Sequence, residues 1–311
     1  MLKQYNAVKF IKITVIILVI IIADTQFLNS AANNNAEYKT EIQNWQEKRI
    51  NSLTKTDGWL SLTGLFWLEE GKNSFGASEE NMIIFPGKNV PAKIGYFILE
   101  SDSVVVQILP EIEVFNESNI VKKIKMIADI DGNKTVLRLG SLSWFVLKRG
   151  DKYGIRLRDS ENQALKNFKG IQNFPVNIKW RIKAKLETYD PPKKIKIPTV
   201  LGTEIEQTSP GVLVFDINNK TYRLEPTGEK SDEELFLVFG DVTNGWETYG
   251  GGRFLYVNNV DSTGYTYIDF NKAYNPPCAF TDYATCPLPP AQNKIKVRIE
   301  AGEKKYEGFS H

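Results

Sequence analysis

The sequence predicts a mainly β protein whose antiparallel sheets form a sandwich or a barrel, with one helix at the N-terminus. Two observations support this prediction. Short runs of β-branched and aromatic residues, separated by turn signals such as Pro86-Gly87 and Asp131-Gly132-Asn133, recur from residue 82 to residue 299. No stretch among them has the apolar periodicity of a helix, which argues against a fold of alternating helices and strands.

Residues 1–32 have the pattern of a secretory signal peptide. Three lysines precede the apolar run Ile13–Ala23, and the small residues Ser30-Ala31-Ala32 then form a suitable cleavage site. An uncleaved membrane anchor is the alternative, although the run is shorter than the roughly 20 apolar residues that span a bilayer. We therefore expect an exported protein, periplasmic or extracellular, which would contact a membrane only through this segment if the segment is retained.

Residues 33–57 form a polar spacer and the predicted helix, and residues 58–306 form the β domain. The helix is indicated by apolar residues that recur every three to five positions among charges: Tyr38, Ile42, Trp45, Ile50 and Leu53. Asp57-Gly58 ends it. Within the β domain, Asp190-Pro191-Pro192 interrupts the series of strands, either as a boundary between two lobes near residues 190–192 or as a corner within one curved sheet.

Composition argues against several kinds of function. The chain has 311 residues, with 39 Lys and Arg against 37 Asp and Glu. Residues 1–32 hold three of the basic residues and one of the acidic residues, so the remaining chain is formally neutral and has no electrostatic footprint for nucleic acid. The one histidine is His311, which argues against a Ser-His-Asp triad, a Cys-His pair and a histidine-based zinc site. We expect neither a metal nor a cofactor.

The segment from residue 239 to residue 290 is unusually rich in aromatic residues and contains a glycine triplet. Gly250-Gly251-Gly252 places unhindered backbone amides beside Arg253, whose guanidinium can make a bidentate contact with an anion. The triplet can equally serve a bulge or a tight corner that requires a positive φ. Arg253 is therefore a candidate ligand-binding residue.

The strand that follows carries the other candidates. Alternation places Tyr265, Tyr267 and Asp269 on one face, and Asn271 comes two positions later. Aromatic rings that contact apolar faces and a carboxylate that binds hydroxyl groups are typical of a site for a sugar or another small polar ligand. The alternative is that the tyrosines only stabilise the sheet through cross-strand contacts.

Cys278 and Cys286 are the only cysteines, and in an exported chain they are expected to form a disulfide. Closing this short loop would stabilise the fold by about 2.6 kcal/mol on the chain-entropy model, and less where nearby prolines already restrict the chain. Buried or free thiols and a catalytic thiolate are the alternatives. The spacing C-x7-C without histidine does not correspond to a zinc site.

The first strands resemble forkhead-associated sandwiches. The resemblance rests on residues 73–77, on the strand-like run at 82–85 and on Ile94-Gly95. The corresponding loops lack the arginine with which those domains bind phosphothreonine, so the resemblance concerns topology alone. Ordinary turns of a β-sandwich are the alternative explanation.

Three blocks of the sequence resemble the DUF1684 family, a domain of unknown function. They are an opening block (WQEKR at 45–49, DGWLSLTGLFWL at 57–68 and GKNSFG at 71–76), a middle block (YGIRLRD at 153–159) and a closing block (DFNKAYNPPC at 269–278 and CPLPP at 286–290, through Asn293). The resemblance extends over about residues 36–306. It implies bacterial or archaeal relatives and carries no activity, cofactor or catalytic residue.

Three functions from different classes remain open. The favoured one is an exported protein that binds a small polar or sugar-like ligand through the residues Arg253, Tyr265, Tyr267, Asp269 and Asn271. The second is a hydrolase that uses Asp241 or Glu247 together with Asp269, which would have to lie about 5–10 Å apart in one cleft. The third is a structural or envelope-interaction domain without a small-molecule site. Binding is favoured over catalysis because the domain lacks histidine and a G-x-S-x-G motif.

Overall fold

The computed structural model describes residues 35–131 and 133–308. The first element is helix α1, residues 35–54, which buries Tyr38, Ile42 and Leu53 as the apolar periodicity predicts. The signal-peptide prediction for residues 1–32 concerns a segment outside the described residues. Within the described ranges, no helix is both long enough and apolar enough to cross a membrane.

Seventeen strands follow α1 in the described part of the chain. They are β1 (Leu62–Trp67), β2 (Gly71–Gly76), β3 (Ile83–Ile84), β4 (Gly95–Glu100), β5 (Ser103–Ile108), β6 (Val114–Asn116), β7 (Asn119–Val121), β8 (Lys123–Met126), β9 (Val136–Leu139), β10 (Leu142–Arg149), β11 (Lys152–Asp159), β12 (Arg181–Pro198), β13 (Glu204–Ile217), β14 (Lys220–Leu224), β15 (Glu234–Phe239), β16 (Arg253–Asn258) and β17 (Tyr265–Asp269). A short helix, α2 (Gln163–Asn167), separates β11 from β12. The prediction of a mainly β fold with one N-terminal helix is confirmed.

The first eleven strands enclose one hydrophobic core between two sheets. A six-stranded sheet has the order β1-β11-β10-β9-β6-β7, and a five-stranded sheet has the order β3-β2-β4-β5-β8. Phe75 and Phe97 stack with their ring centroids 4.1 Å apart, and the edges of both Phe75 and Phe85 meet the buried Trp144. The apolar residues on the inner faces of the two sheets therefore form the core of a sandwich.

The remaining strands enclose a second core. A four-stranded sheet has the order β14-β13-β12-β17, and β15 pairs with β16. Leu213, Phe239 and Phe270 are fully buried between them. Residues 190–192 lie inside β12, where the register with β13 shifts between Thr188 and Lys193. The two cores are thus built from residues 75–157 and residues 180–301.

Helix α1 packs against the segment that follows β17. Leu53, at its C-terminal end, lies in a small apolar cluster with Phe280. Arg49 donates to Glu303, with 3.2 Å between Nε and Oε1, and its guanidinium lies 4.7 Å from the ring centroid of Tyr274. Tyr38, one turn into the helix, donates to Asp269 at the end of β17. The helix therefore forms one wall of a cleft beside β17.

Candidate functional site

A polar and aromatic cleft of about 230 Å³ lies between α1 and strands β12, β15, β16 and β17; we call it the α1 cleft. Its lining comprises Glu41, Trp45, Arg181, Glu234, Tyr256, Asn258, Thr266, Tyr267, Asp269, Lys272 and Tyr274. Four of these residues are aromatic, three are carboxylates and two are cations. The cleft thus combines ring surfaces with hydrogen-bonding groups of both signs.

Two tyrosines expose their rings on neighbouring strands of the cleft. Alternation along β16 and β17 buries the neighbours of Tyr256 and Tyr267 and leaves these two side chains 52% and 49% exposed. Tyr256 stacks nearly parallel to Tyr274, with ring centroids 6.4 Å apart and planes inclined by 14°. The Arg181 guanidinium lies 4.7 Å from the Tyr267 ring centroid. Both exposed rings are therefore held in place before any ligand arrives.

A buried hydrogen-bond network fixes the carboxylate of Asp269. The Tyr38 hydroxyl lies 2.8 Å from Oδ1 of Asp269 and donates to this carboxylate. The side-chain amide of Asn271 donates to the Tyr38 hydroxyl at 2.8 Å, and its backbone N–H donates to Asp269 at 3.1 Å. Burial, followed by the charge of Asp269, raises the pKa of Tyr38, so Tyr38 keeps its proton and stays a donor. The network orients one acceptor group at the edge of the cleft.

The charged residues of the cleft are partly neutralised by one another. Lys272 pairs with Glu41 of α1 at 2.6 Å, which joins the helix to the turn after β17. The guanidinium of Arg181 packs against the face of the Tyr267 ring. With three carboxylates against two cations, the lining does not favour a polyanion.

The five predicted ligand-binding residues do not lie together. Tyr267 and Asp269 line the α1 cleft, and Asn271 lies beneath it as a partner of Asp269. Tyr265 is half-buried one step along β17, where Lys183 lies 4.3 Å from its ring centroid, and it is not among the lining residues. Arg253 is not among the residues that line the α1 cleft.

Arg253 is fully buried and bound by the protein itself, so the structure leaves it no contact with a ligand. Its guanidinium donates to Asp241 at 3.1 Å and to the backbone carbonyls of Ile299 and Ala301. The preceding Gly252 has a φ of +89°, and a Cβ there would lie 2.8 Å from the carbonyl oxygen of Phe239. The glycine triplet therefore serves the tight corner that was the alternative interpretation.

Two of the carboxylates named for a hydrolase are bound by other groups of the protein. The buried Asp241 carboxylate pairs with Arg253 and accepts a hydrogen bond from the Ile299 N–H at 2.6 Å. Glu247 is on the surface, where it pairs with Arg298 at 2.6 Å. Of these acids, Asp269 alone lines the α1 cleft, so the structure offers no support for the pairs proposed from sequence.

Cys278 and Cys286 are free thiols in this structure, in contrast to the predicted disulfide. They are nevertheless adjacent, because the Cys278 N–H lies 3.1 Å from the sulfur of Cys286 and donates to it. Across the described residues, no group of three or more His, Cys, Asp or Glu side chains is placed to hold a metal ion.

Several lining residues were not identified from the sequence. Trp45 and Glu41 come from α1, and Arg181 comes from the start of β12, far from residue 267 in the chain. Tyr256 and Tyr274 lie in the aromatic segment 239–290, and the alternation along β16 indicates that the Tyr256 side chain is exposed. The other residues reach the cleft through tertiary contacts that no local pattern predicts.

The fold and this cleft define a two-core β protein with a compact polar site, and one family model matches its C-terminal half. Residues 166–304 match the family model DUF1684, a protein of unknown function. The match confirms, over this part of the chain, the resemblance to the DUF1684 family that the sequence blocks predicted. The resemblance of residues 36–165 stays a prediction.

Among solved structures, the chain is similar to an uncharacterized protein of Haloarcula marismortui studied by solution NMR. The two are 26% identical with a TM-score of 0.38, and the match covers 46% of this chain and 80% of that one. A second match, 17% identical with a TM-score of 0.22, is the FhaA forkhead-associated domain complexed with the intracellular domain of Rv3910, and covers 30% of this chain and 97% of that one. No curated protein matches the chain.

Proposed function

We propose that the α1 cleft binds a small polar ligand with hydroxyl groups, about the size of one sugar ring. The observation that carries the proposal is the pair of exposed rings, Tyr256 and Tyr267, beside the oriented carboxylate of Asp269. Aromatic faces contact the apolar faces of a sugar, and carboxylates accept its hydroxyl protons. The partners of Tyr256, Tyr267 and Asp269 hold them in position, which lowers the entropy cost of binding.

The dimensions and charge of the cleft narrow the ligand class. A volume of about 230 Å³ is smaller than the pockets of roughly 300–1,000 Å³ that take drug-sized molecules. Three carboxylates against two cations favour a neutral or amino-bearing ligand over a polyanion. Neutral monosaccharides and amino sugars are therefore the first probes.

Ligand-detected NMR with a panel of neutral monosaccharides and amino sugars is expected to show saturation transfer from the wild-type protein to at least one sugar. Replacing both Tyr256 and Tyr267 by alanine should weaken this binding by about 1–3 kcal/mol, because both stacking faces are lost. The matched control is Tyr283→Ala, a tyrosine with an exposed ring that is not among the lining residues of the cleft. Binding that survives the double replacement would overturn the proposal.

We further propose that the chain is exported and that its two cysteines form a disulfide after export. The pattern of residues 1–32 supports export, and the adjacency of the two free thiols supports their pairing. Intact mass of the protein recovered from the periplasm or medium is expected to show cleavage after Ala32 and the loss of two hydrogens. A membrane-bound product that retains residues 1–32 would support the anchor instead.

A further inference from the structure

Two thiols lie where the two cores meet, outside the lining of the α1 cleft. Cys278 follows Pro277 in the short helix Pro277–Ala279, and the carbonyl of Cys286 accepts from the backbone N–H of Val200, just beyond β12, at 3.0 Å. Both cysteines are buried, and the Cys278 N–H donates to the Cys286 sulfur. The two sulfurs are thus held side by side by the backbone on either side of the loop.

A buried guanidinium from the first core lies near this pair, beside Thr285, the residue that precedes Cys286. Arg156 of β11 is 4% exposed, its Nη2 lies 3.5 Å from the Thr285 hydroxyl, and its Nε has no hydrogen-bond partner. Among the described residues, no carboxylate lies within ion-pair distance of Arg156, and the nearby Asp129 is paired with Arg149. A buried charge without a counter-charge is costly, so a negative charge beside Arg156 is stabilised there.

The thiol pair can supply that anion. A hydrogen bond from the Cys286 thiol lowers the pKa of Cys278, and the positive charge of Arg156 lowers it further, against burial and the opposing charge of Asp282. The same hydrogen bond, together with burial, raises the pKa of Cys286. The pair therefore loses one proton as a unit and shares the other.

Two neighbouring titratable groups, Arg156 and Tyr249, both keep their protons at neutral pH and so do not take the negative charge from the thiol pair. Burial lowers the pKa of Arg156 to about 10, so it stays a cation at neutral pH. Burial and the two sulfurs raise the pKa of the Tyr249 phenol to about 12, so it stays protonated. The Arg156 guanidinium lies 5.5 Å from the ring centroid of Trp59, a cation–π contact that covers one side of this cation.

We propose that Cys278, Cys286 and Arg156 form a thiol–disulfide redox centre in which Arg156 stabilises the reduced, thiolate state. In exchange with a small disulfide, the Cys278 sulfur attacks the oxidant and releases one thiol, and the Cys286 sulfur then displaces the second. The one proton that the pair retains passes to one leaving thiolate and solvent supplies a proton to the other, so that one disulfide bond replaces another. The product is neutral and leaves Arg156 without a counter-charge, so this disulfide is reduced more readily than a purely structural one.

The inference rests on the disulfide proposed above, and Arg156→Met tests it. Thiolate absorbance of the reduced protein, measured against a Cys278→Ser/Cys286→Ser variant, is expected to titrate at higher pH in Arg156→Met because the cation is gone. Each pKa unit gained lowers the thiolate fraction near neutral pH about tenfold. In glutathione redox buffers the same variant should be oxidised at a more reducing ratio, because its reduced state has lost stabilisation.

Arg158→Met is the matched control, since Arg158 lies two residues along β11 with its guanidinium over Phe145. It should leave the thiolate titration and the glutathione equilibrium unchanged. If Arg156→Met fails to fold, Arg156→Lys keeps the charge, and the wild-type protein must still titrate below its urea-unfolded form. A wild-type titration at or above that of the unfolded chain, or no exchange with glutathione, overturns the centre. If the exported protein contains the disulfide but its glutathione equilibrium is the same in the wild type and in Arg156→Met, the disulfide is only structural and the redox centre is overturned.

Discussion

Replacing Arg253 by methionine is expected to lower the free energy of unfolding by about 3–5 kcal/mol, the cost of leaving a buried charge without its partner. Arg253 and Asp241 both have fully buried side chains, and two backbone carbonyls complete the shell of the guanidinium. Without Arg253, the Asp241 carboxylate keeps only the donors from Thr243 and Ile299. Equilibrium unfolding in urea measures the change.

The exposed ion pair between Arg298 and Glu247 is the matched control. Both side chains are about half exposed, so Arg298→Met should have little effect on the free energy of unfolding. Adding Asp241→Asn to Arg253→Met should restore part of the lost stability, because the remaining group is then uncharged. Equal losses for Arg253→Met and Arg298→Met would contradict the structural role assigned to the buried pair.

Trp144→Ala is expected to lower the free energy of unfolding by about 3–5 kcal/mol, since the indole is fully buried and the change leaves a large cavity. Its ring meets Phe75 and Phe85 edge-on, with centroids 5.9 Å and 5.4 Å away. Trp246→Ala removes a side chain that is 85% exposed and should change stability by about 0.5 kcal/mol or less. If Trp144→Ala lowered the free energy of unfolding no more than Trp246→Ala does, the buried position of Trp144 in the first core would be wrong.

Local pattern predicted the fold class but not every strand. The spacing of apolar residues identified α1, and short runs of β-branched and aromatic residues identified β5 and β10. It missed β2, whose sequence GKNSFG lacks alternation and whose buried Asn73 is satisfied by backbone groups around residues 69–71. It also missed the first half of β12, because the prolines at 191–192 suggested a break where the strand only shifts register.

The part of the candidate site that the sequence predicted is the part in which strand alternation determines which side chains are exposed. Tyr267 projects into the α1 cleft for that reason. Arg253 could not be placed from sequence, because its partners are a carboxylate at 241 and carbonyls near residue 300 that only the folded chain brings together. Arg156 and the cysteines are likewise more than a hundred residues apart in the chain and meet only where the two cores join.

Binding of a small hydroxylated ligand in the α1 cleft would be visible in a crystal structure of the protein grown with the sugar that gives the strongest NMR signal. We expect the sugar ring to lie against Tyr256 or Tyr267, with a hydroxyl group donating to Asp269. A sugar bound elsewhere, with the α1 cleft filled only by solvent, would contradict the proposed binding.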